Sequence, residues 1–269
     1  MQIPITVISD CRDDNAKNRV LARLHSLFPG AATNLIGVND DLDAGGNLTD
    51  IVDARDGKEG LVIVNAAPRG GDHGTRWKNG SPFGAVTLDK TLVVATVAGY
   101  TLSFAKKLGL LAGIEDLHVF DVQEVLQAQL EQGRFNAEDI ARITRTQFRS
   151  YEFAPRLAQW LLHEHNLPWL TCPYEIPSSL PSRKVWWVDN FGNVKTTALP
   201  NEIGWRNGEV IHSTKGDVCC YNGLKDVPNL EAGLVIGSSG YGQQRFVELV
   251  VKGDSAARRF GLAVGDDIF

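Results

Sequence analysis

The chain has 269 residues, more than the roughly 100–200 that one hydrophobic core usually serves, so two domains are expected. Its 43% hydrophobic and 22% charged residues are those of an ordinary soluble globular protein. A net charge of −5, with no local run of Lys and Arg, argues against a nucleic-acid partner, because a phosphate-binding surface needs clustered cations.

The opening segment MQIPITVISD lacks a basic stretch and meets Asp10 early. Neither a secretory signal nor a membrane span is expected, and the protein is expected in the cytoplasm. Cys11, Cys172, Cys219 and Cys220 show no C-x-x-C spacing, so they read as buried or idle thiols with no metal and no disulfide framework.

In chain order, the β-branched run Ile3–Ser9 predicts a strand, and Asp13–Phe28 predicts a helix with Val20, Leu21, Leu24, Leu27 and Phe28 on one face. The turn between them has no glycine, which excludes a G-x-G-x-x-G dinucleotide turn. Its acidic residues read more simply as a solvated helix N-terminus than as a metal site. Further strands are predicted near 32–38, 60–66, 85–88, 91–97 and 117–122, with helices at 47–54, 102–110, 122–131, 137–146 and 152–164. Strands alternating with helices predict an α/β domain over residues 1–172, a mostly parallel sheet with flanking helices. Ligands gather at the C-terminal strand ends of such sheets, which singles out the loops Ser9–Asp14 and Ala67–Phe83.

A Pro/Ser-rich stretch at 173–183 predicts a linker. From 184 to 269 short strands follow one another with turn signals every 8–12 residues, predicting an all-β antiparallel barrel or sandwich.

Two stretches of this second domain carry the chemistry. The first is VWWVDNFGNVKTTAL, with Asp189, Phe191, Gly192, Asn193, Thr196 and Thr197; the second is GSSGYGQQRFVELVVKGDSAARRFGLAVG, with Gly237 to Tyr241, Lys252 to Ala257 and Phe260 to Asp266. In order, spacing and residue type over some 80 residues they resemble the C-terminal domain of the S-adenosyl-L-methionine hydroxide adenosyltransferase and fluorinase/chlorinase family. Its usual strings there run close to D-x-F-G-N-x-x-T-N and N-S-S-G-Y, then N-G-G-S-A-A and L-G-L-x-x-G-D.

The resemblance implies a homotrimer that encloses S-adenosyl-L-methionine between the N-terminal domain of one subunit and the C-terminal domain of the next. The implied chemistry is displacement at the 5′ carbon of the sulfonium, with S-adenosyl-L-methionine as substrate or ligand and no separate cofactor. Asp10 matches the family carboxylate that takes the ribose hydroxyls. Asp189 is implied for the methionine ammonium, Phe191 and Asn193 for adenine, Ser238 and Ser239 for the amino-acid end, and Gly253 for a backbone contact with adenine. F-G-N can also be read as a tight turn alone.

The reacting half departs from the family pattern. Ala67 stands at the position of the family's catalytic Asp and Phe148 at that of its His, while Val97–Tyr100 replaces a P-D-N-G string. One reading rebuilds the machinery in the loop Ala67–Phe83, with His73 or Asp72 as base and Arg76 holding the nucleophile. A second uses halide, which needs no base. A third keeps the pocket without the reaction and binds a nucleoside or another anionic small molecule, with Arg69, His73, Arg76, Lys78 and Arg149 as the basic set.

Overall fold

A computed structural model describes residues 3–66, 68, 81–111, 116–146, 148–163, 166–171 and 180–269. The chain divides into two compact units, residues 1–178 and 179–269, each taken by itself below.

The first unit is built on a seven-stranded sheet in the order β2-β1-β3-β5-β4-β6-β7. Its strands are β1 (Ile5–Ser9), β2 (Thr33–Gly37), β3 (Gly60–Asn65), β4 (Phe83–Leu88), β5 (Thr91–Thr96), β6 (His118–Phe120) and β7 (Leu170–Thr171). β2, β1, β3 and β5 pair in parallel, while β4 runs antiparallel to both β5 and β6, and β7 runs antiparallel to β6. Five of the seven strands therefore share one direction, as expected for a mostly parallel sheet. β1 is buried at all five residues because helices cover both of its faces.

The helices are α1 (Asp14–Leu27), α2 (Asp41–Ala54), α3 (Ser103–Lys107), α4 (Val122–Glu131), α5 (Ala137–Arg145), α6 (Arg149–Glu152) and α7 (Ala154–Leu162). Val20 and Leu24 of α1 and Leu157 and Trp160 of α7 join Ile5, Val7, Leu61 and Ile63 in one core. Asp13 caps α1 by accepting from the Ala16 N–H at 3.0 Å, so this acidic residue serves the helix end as expected.

Three predicted helices have different bounds; the one expected over 102–110 is the short α3, ending at Lys107. α2 begins at Asp41 rather than near Asn47, because Asp40 caps it and Gly45 sits inside it. A Cβ on Gly45 would meet the Tyr100 carbonyl oxygen at 2.7 Å and the Phe104 ring at 2.8 Å. The missing side chain at Gly45 is thus what lets α2 approach α3. The helix expected over 152–164 breaks at Phe153 into α6 and α7, with Pro155 in the first turn of α7.

The second unit is a six-stranded sheet ordered β10-β11-β12-β13-β9-β8. It comprises β8 (Val185–Val188), β9 (Val194–Thr196), β10 (Val210–Ser213), β11 (Gly216–Cys220), β12 (Ala232–Tyr241) and β13 (Gln244–Val251), followed by the short helix α8 (Ala256–Phe260). The sheet is open, with β10 and β8 as edges, so the expected all-β domain is present without closing into a barrel. β11 and β12 pair in parallel and the other pairs are antiparallel. Val185, Val194, Val247 and Leu249 fill its core together with Ala256 and Ile268.

The segment Gly237–Tyr241, whose glycines suggest a turn, is a bulge inside β12. Pairing with β13 shifts register between Ile236 and Gly240. Gly240 has φ +135°, and a Cβ there would lie 2.1 Å from the Gln244 carbonyl oxygen. The bulge re-aims Ser238 and Ser239 without ending the strand.

Candidate functional site

The β8–β9 connection, Asp189–Asn193, is held by the side chain of its first residue. Asp189 Oδ1 accepts from the backbone N–H groups of Phe191 and Asn193, both at 2.9 Å, and Oδ2 accepts from Asn193 Nδ2 at 3.0 Å. Gly192 takes φ +82°, and its carbonyl accepts from the Ala257 N–H at 2.9 Å, tying the loop to α8. This anchoring leaves Phe191 72% exposed, the most exposed of the large apolar residues among those described.

The loop forms one wall of an open concavity of about 790 Å³, lined also by Leu224, Val251, Gly253, Asp254, Ser255 and Arg258. Asp189, Phe191, Asn193 and Gly253 all line it, so four of the predicted ligand-binding residues meet at one place. Gly253 adopts φ +84° there. The arrangement offers a flat ring (Phe191), an amide oxygen of Asn193 with no bond to the described residues, and a charged guanidinium (Arg258) beside Asp254. Leu224 is not legible in the sequence as a lining residue, since nothing local marks a leucine in a short 3₁₀ turn.

Ser238 and Ser239 lie elsewhere on the sheet, in the β12 bulge. Ser238 is exposed, and its carbonyl accepts from Arg245 at 3.0 Å. Ser239 is buried, and its hydroxyl accepts from Lys195 Nζ at 2.7 Å. Lys195 also donates to Glu248 Oε1 at 3.1 Å.

In the first unit Asp10 stands at the C-terminal end of β1, its N–H bonded to the Asn65 carbonyl at 3.1 Å and its Oδ1 3.5 Å from Cys11 Sγ. This is the strand-end position that the α/β pattern predicts for a ligand. Close along the same edge lies a network that the sequence reading does not anticipate. Arg12 donates to Asn39 Oδ1 at 2.7 Å, Asn39 donates to Asp43 Oδ2 through its backbone at 2.9 Å and its side chain at 3.0 Å, and Asn47 donates to Asp43 Oδ1 at 2.8 Å. Asp43 is fully buried. Burial, reinforced by the neighbouring Asp40 charge, pushes its carboxyl up to about 7 against the lowering effect of the Asn39 and Asn47 bonds. The sequence signal for it is the D-D-L-D string at a strand–helix junction.

The predicted catalytic residues Asp72, His73 and Arg76, with Ala67, Arg69 and Lys78, lie outside the described residues. Phe148, which the resemblance sets at the position of the family His, is described. Its ring lies 5.6 Å from that of Tyr151, with the Arg19 guanidinium 5.0 Å from its centroid. An aromatic side chain held in this way cannot accept a proton from water. Arg149 lies 6.0 Å from the Phe83 ring, and burial lowers its pKa. Among the described residues no group of three His, Cys, Asp or Glu is placed to hold a metal, and no helix is long and apolar enough to cross a membrane.

Residues 183–269 match the family described as the SAM hydroxide adenosyltransferase C-terminal domain. The C-terminal unit belongs to that family. No curated protein matches the chain. Among solved structures, an uncharacterized conserved protein from Thermotoga maritima is similar at 18% identity and TM-score 0.65, with 98% of each chain covered. A conserved hypothetical protein from Thermus thermophilus is similar at 18% identity and TM-score 0.59, covering 99% of this chain and 98% of the other. These likenesses establish a shared fold. The adenosyltransferase-type domain here keeps the family's D-x-F-G-N string as the Asp189-anchored loop and its S-S-G-Y string as the β12 bulge.

Proposed function

We propose that this protein binds S-adenosyl-L-methionine through its adenosyltransferase-type C-terminal domain, at an interface between subunits of a homotrimer in the cytoplasm, with no separate cofactor. The observation that carries this reading is the fixed Asp189–Asn193 loop, which presents Phe191 to solvent beside a concavity of about 790 Å³. An apolar ring held outward at no gain to its own core suits stacking against a purine. Asn193 supplies an acceptor for the adenine edge, and Asp10 supplies a carboxylate for the ribose hydroxyls.

The reaction proposed with this binding is attack of water on the 5′ carbon. The new C–O bond forms as the C–S bond breaks, methionine leaves with the electron pair that neutralises its sulfonium, and one proton is released to give adenosine. His73 or Asp72 would take that proton and Arg76 would hold the nucleophile. The clamped aromatic ring of Phe148 at the family His position supports a second reading, in which the chain binds S-adenosyl-L-methionine or a nucleoside without turning it over.

Mass spectrometry of the protein incubated with S-adenosyl-L-methionine, with and without chloride, separates these. Adenosine and methionine above a protein-free control support hydrolysis, and 5′-chloroadenosine supports halide attack. No product, with the melting temperature raised by the ligand, supports binding alone. No product and no binding overturn the proposal.

A further inference from the structure

We infer that Asp43, Asn39 and Arg12 form a relay of positioning residues that fixes the Ser9–Asp14 loop and so sets how strictly the Asp10 carboxylate tells ribose from deoxyribose. This rests on the binding reading above and adds to it residues that act through Asp10.

The relay starts from a buried anchor. Asp43, in the first turn of α2, is fully buried. Its Oδ2 accepts from the Asn39 backbone N–H at 2.9 Å and from Asn39 Nδ2 at 3.0 Å, while Oδ1 accepts from Asn47 Nδ2 at 2.8 Å. The backbone donor decides which way the Asn39 amide faces. A backbone N–H cannot turn over, so Oδ2 is an acceptor, Asn39 Nδ2 lies on it, and Asn39 Oδ1 points away. That oxygen accepts from Arg12 Nη1 at 2.7 Å. The opposite amide orientation would set a second donor against the guanidinium, and no bond would form.

The far end of the relay lies in the loop that carries Asp10. Ser9 is held between β2 and β3 as the partner of Gly37 and Asn65, and Asp10 continues with its N–H on the Asn65 carbonyl. The Arg12 stem then lies across the end of β2, where a Cβ on Gly37 would meet Arg12 Cβ at 2.8 Å. Asp10 thus sits between the sheet and the Arg12 tie, and both aim its carboxylate. A carboxylate accepts from two vicinal hydroxyls at once only over a narrow range of orientations, whereas a single hydroxyl tolerates a wide one. Loss of the tie therefore weakens recognition of the vicinal pair more than that of a lone 3′ hydroxyl.

The test is calorimetric titration of the full chain with adenosine and with 2′-deoxyadenosine. Wild-type protein should prefer adenosine by roughly 10- to 100-fold, the worth of a hydrogen bond to a charged acceptor. Asp10→Asn should remove most of that preference. Arg12 and Asn39 are exposed, so their substitution leaves the core intact. Arg12→Met and Asn39→Leu should each cut the preference by about 3- to 10-fold while 2′-deoxyadenosine affinity stays within about twofold. The double variant should lose no more than either single one, because both break the same tie. Asp43→Ala should reach the same level, and if it does not fold the two surface variants decide the matter alone.

A preference of wild-type size in both surface variants, with Asp10→Asn having lost it, overturns the relay and leaves the binding reading standing. Additive losses in the double variant, or equal losses for both nucleosides, overturn the relay as well. Wild-type protein that binds the two nucleosides equally removes Asp10 from the sugar and overturns the relay with it. Wild-type protein that binds neither overturns the binding reading and the relay together.

Discussion

Gly192 and Ser255 are in such close apposition that a Cβ on the glycine would lie 2.0 Å from Ser255 Oγ and 2.5 Å from Ser255 Cβ. The contact joins the Asp189–Asn193 loop to the N-cap of α8, where Ser255 accepts from the Arg258 N–H at 3.1 Å. Gly192→Ala must both enter the left-handed region at φ +82° and displace that cap. A loss of about 1–3 kcal/mol is expected from the backbone term alone. Chemical denaturation should register it, and hydrogen exchange at the Phe191, Asn193 and Ala257 amides should accelerate. Unchanged exchange at those three amides would show that the loop is not held by this contact.

Phe191 allows function to be separated from stability. At 72% exposure its ring contributes little to the core, so Phe191→Ala should change folding stability by no more than about 0.5 kcal/mol. Adenosine affinity should nonetheless fall by about tenfold, the equivalent of roughly 1.4 kcal/mol of lost stacking. A variant with lowered stability and unaltered adenosine binding would place the ring in the fold and not in the site.

The parallel sheet and its helices are legible in the sequence because their signals are periodic: every residue of β1 is apolar or β-branched up to Ser9, and Val20 and Leu24 recur at helical spacing. What stays hidden depends on contacts made across the fold. Nothing local tells that Gly45 lies inside α2 to make room for Tyr100 and Phe104. Gly237–Tyr241 reads as a turn because two glycines flank two serines, yet the pairing of β12 with β13 resumes at Gly240. In the site, the D-x-F-G-N string specifies the right loop but not the use of its carboxylate, which turns back on its own backbone. Lys195 and Glu248 carry no local mark, because their juxtaposition comes from cross-strand register between segments more than 50 residues apart.

Glu152 binds three arginines from three helices. It meets Arg23 at 3.2 Å, Arg142 at 2.8 Å and Arg156 at 2.9 Å. Burial alone would raise its pKa, but the bond from Arg142 and the charges of Arg23 and Arg156 hold it below the ordinary value of 4.5. A depressed carboxylate contributes stability that is fully present above its unfolded pKa and is lost as pH falls through the folded one. Glu152→Ala should cost about 3–5 kcal/mol near neutrality, because Arg156 is left buried without its partner. Below pH ~4 the gap between wild type and variant should narrow; a constant gap down to pH ~2 would mean that the charge is irrelevant and only packing was lost.

Asp43 has the opposite sign. Its carboxyl titrates near 7 in the folded chain, against an ordinary value of 3.8. Between these values the folded protein holds a proton that the unfolded chain has released, so stability must fall as pH rises from about 4 to about 7 and level off above. The full shift corresponds to about 4 kcal/mol at most, and the Asn39 and Asn47 donors hold the anion in place once it forms. Asp43→Asn should flatten this slope while leaving the acid side nearly unchanged. Melting temperatures of both proteins across pH 4–8 provide the measurement. Parallel curves for the two would show that Asp43 releases its proton at an ordinary carboxyl pH, and that the Arg12–Asn39–Asp43 chain is ionised throughout.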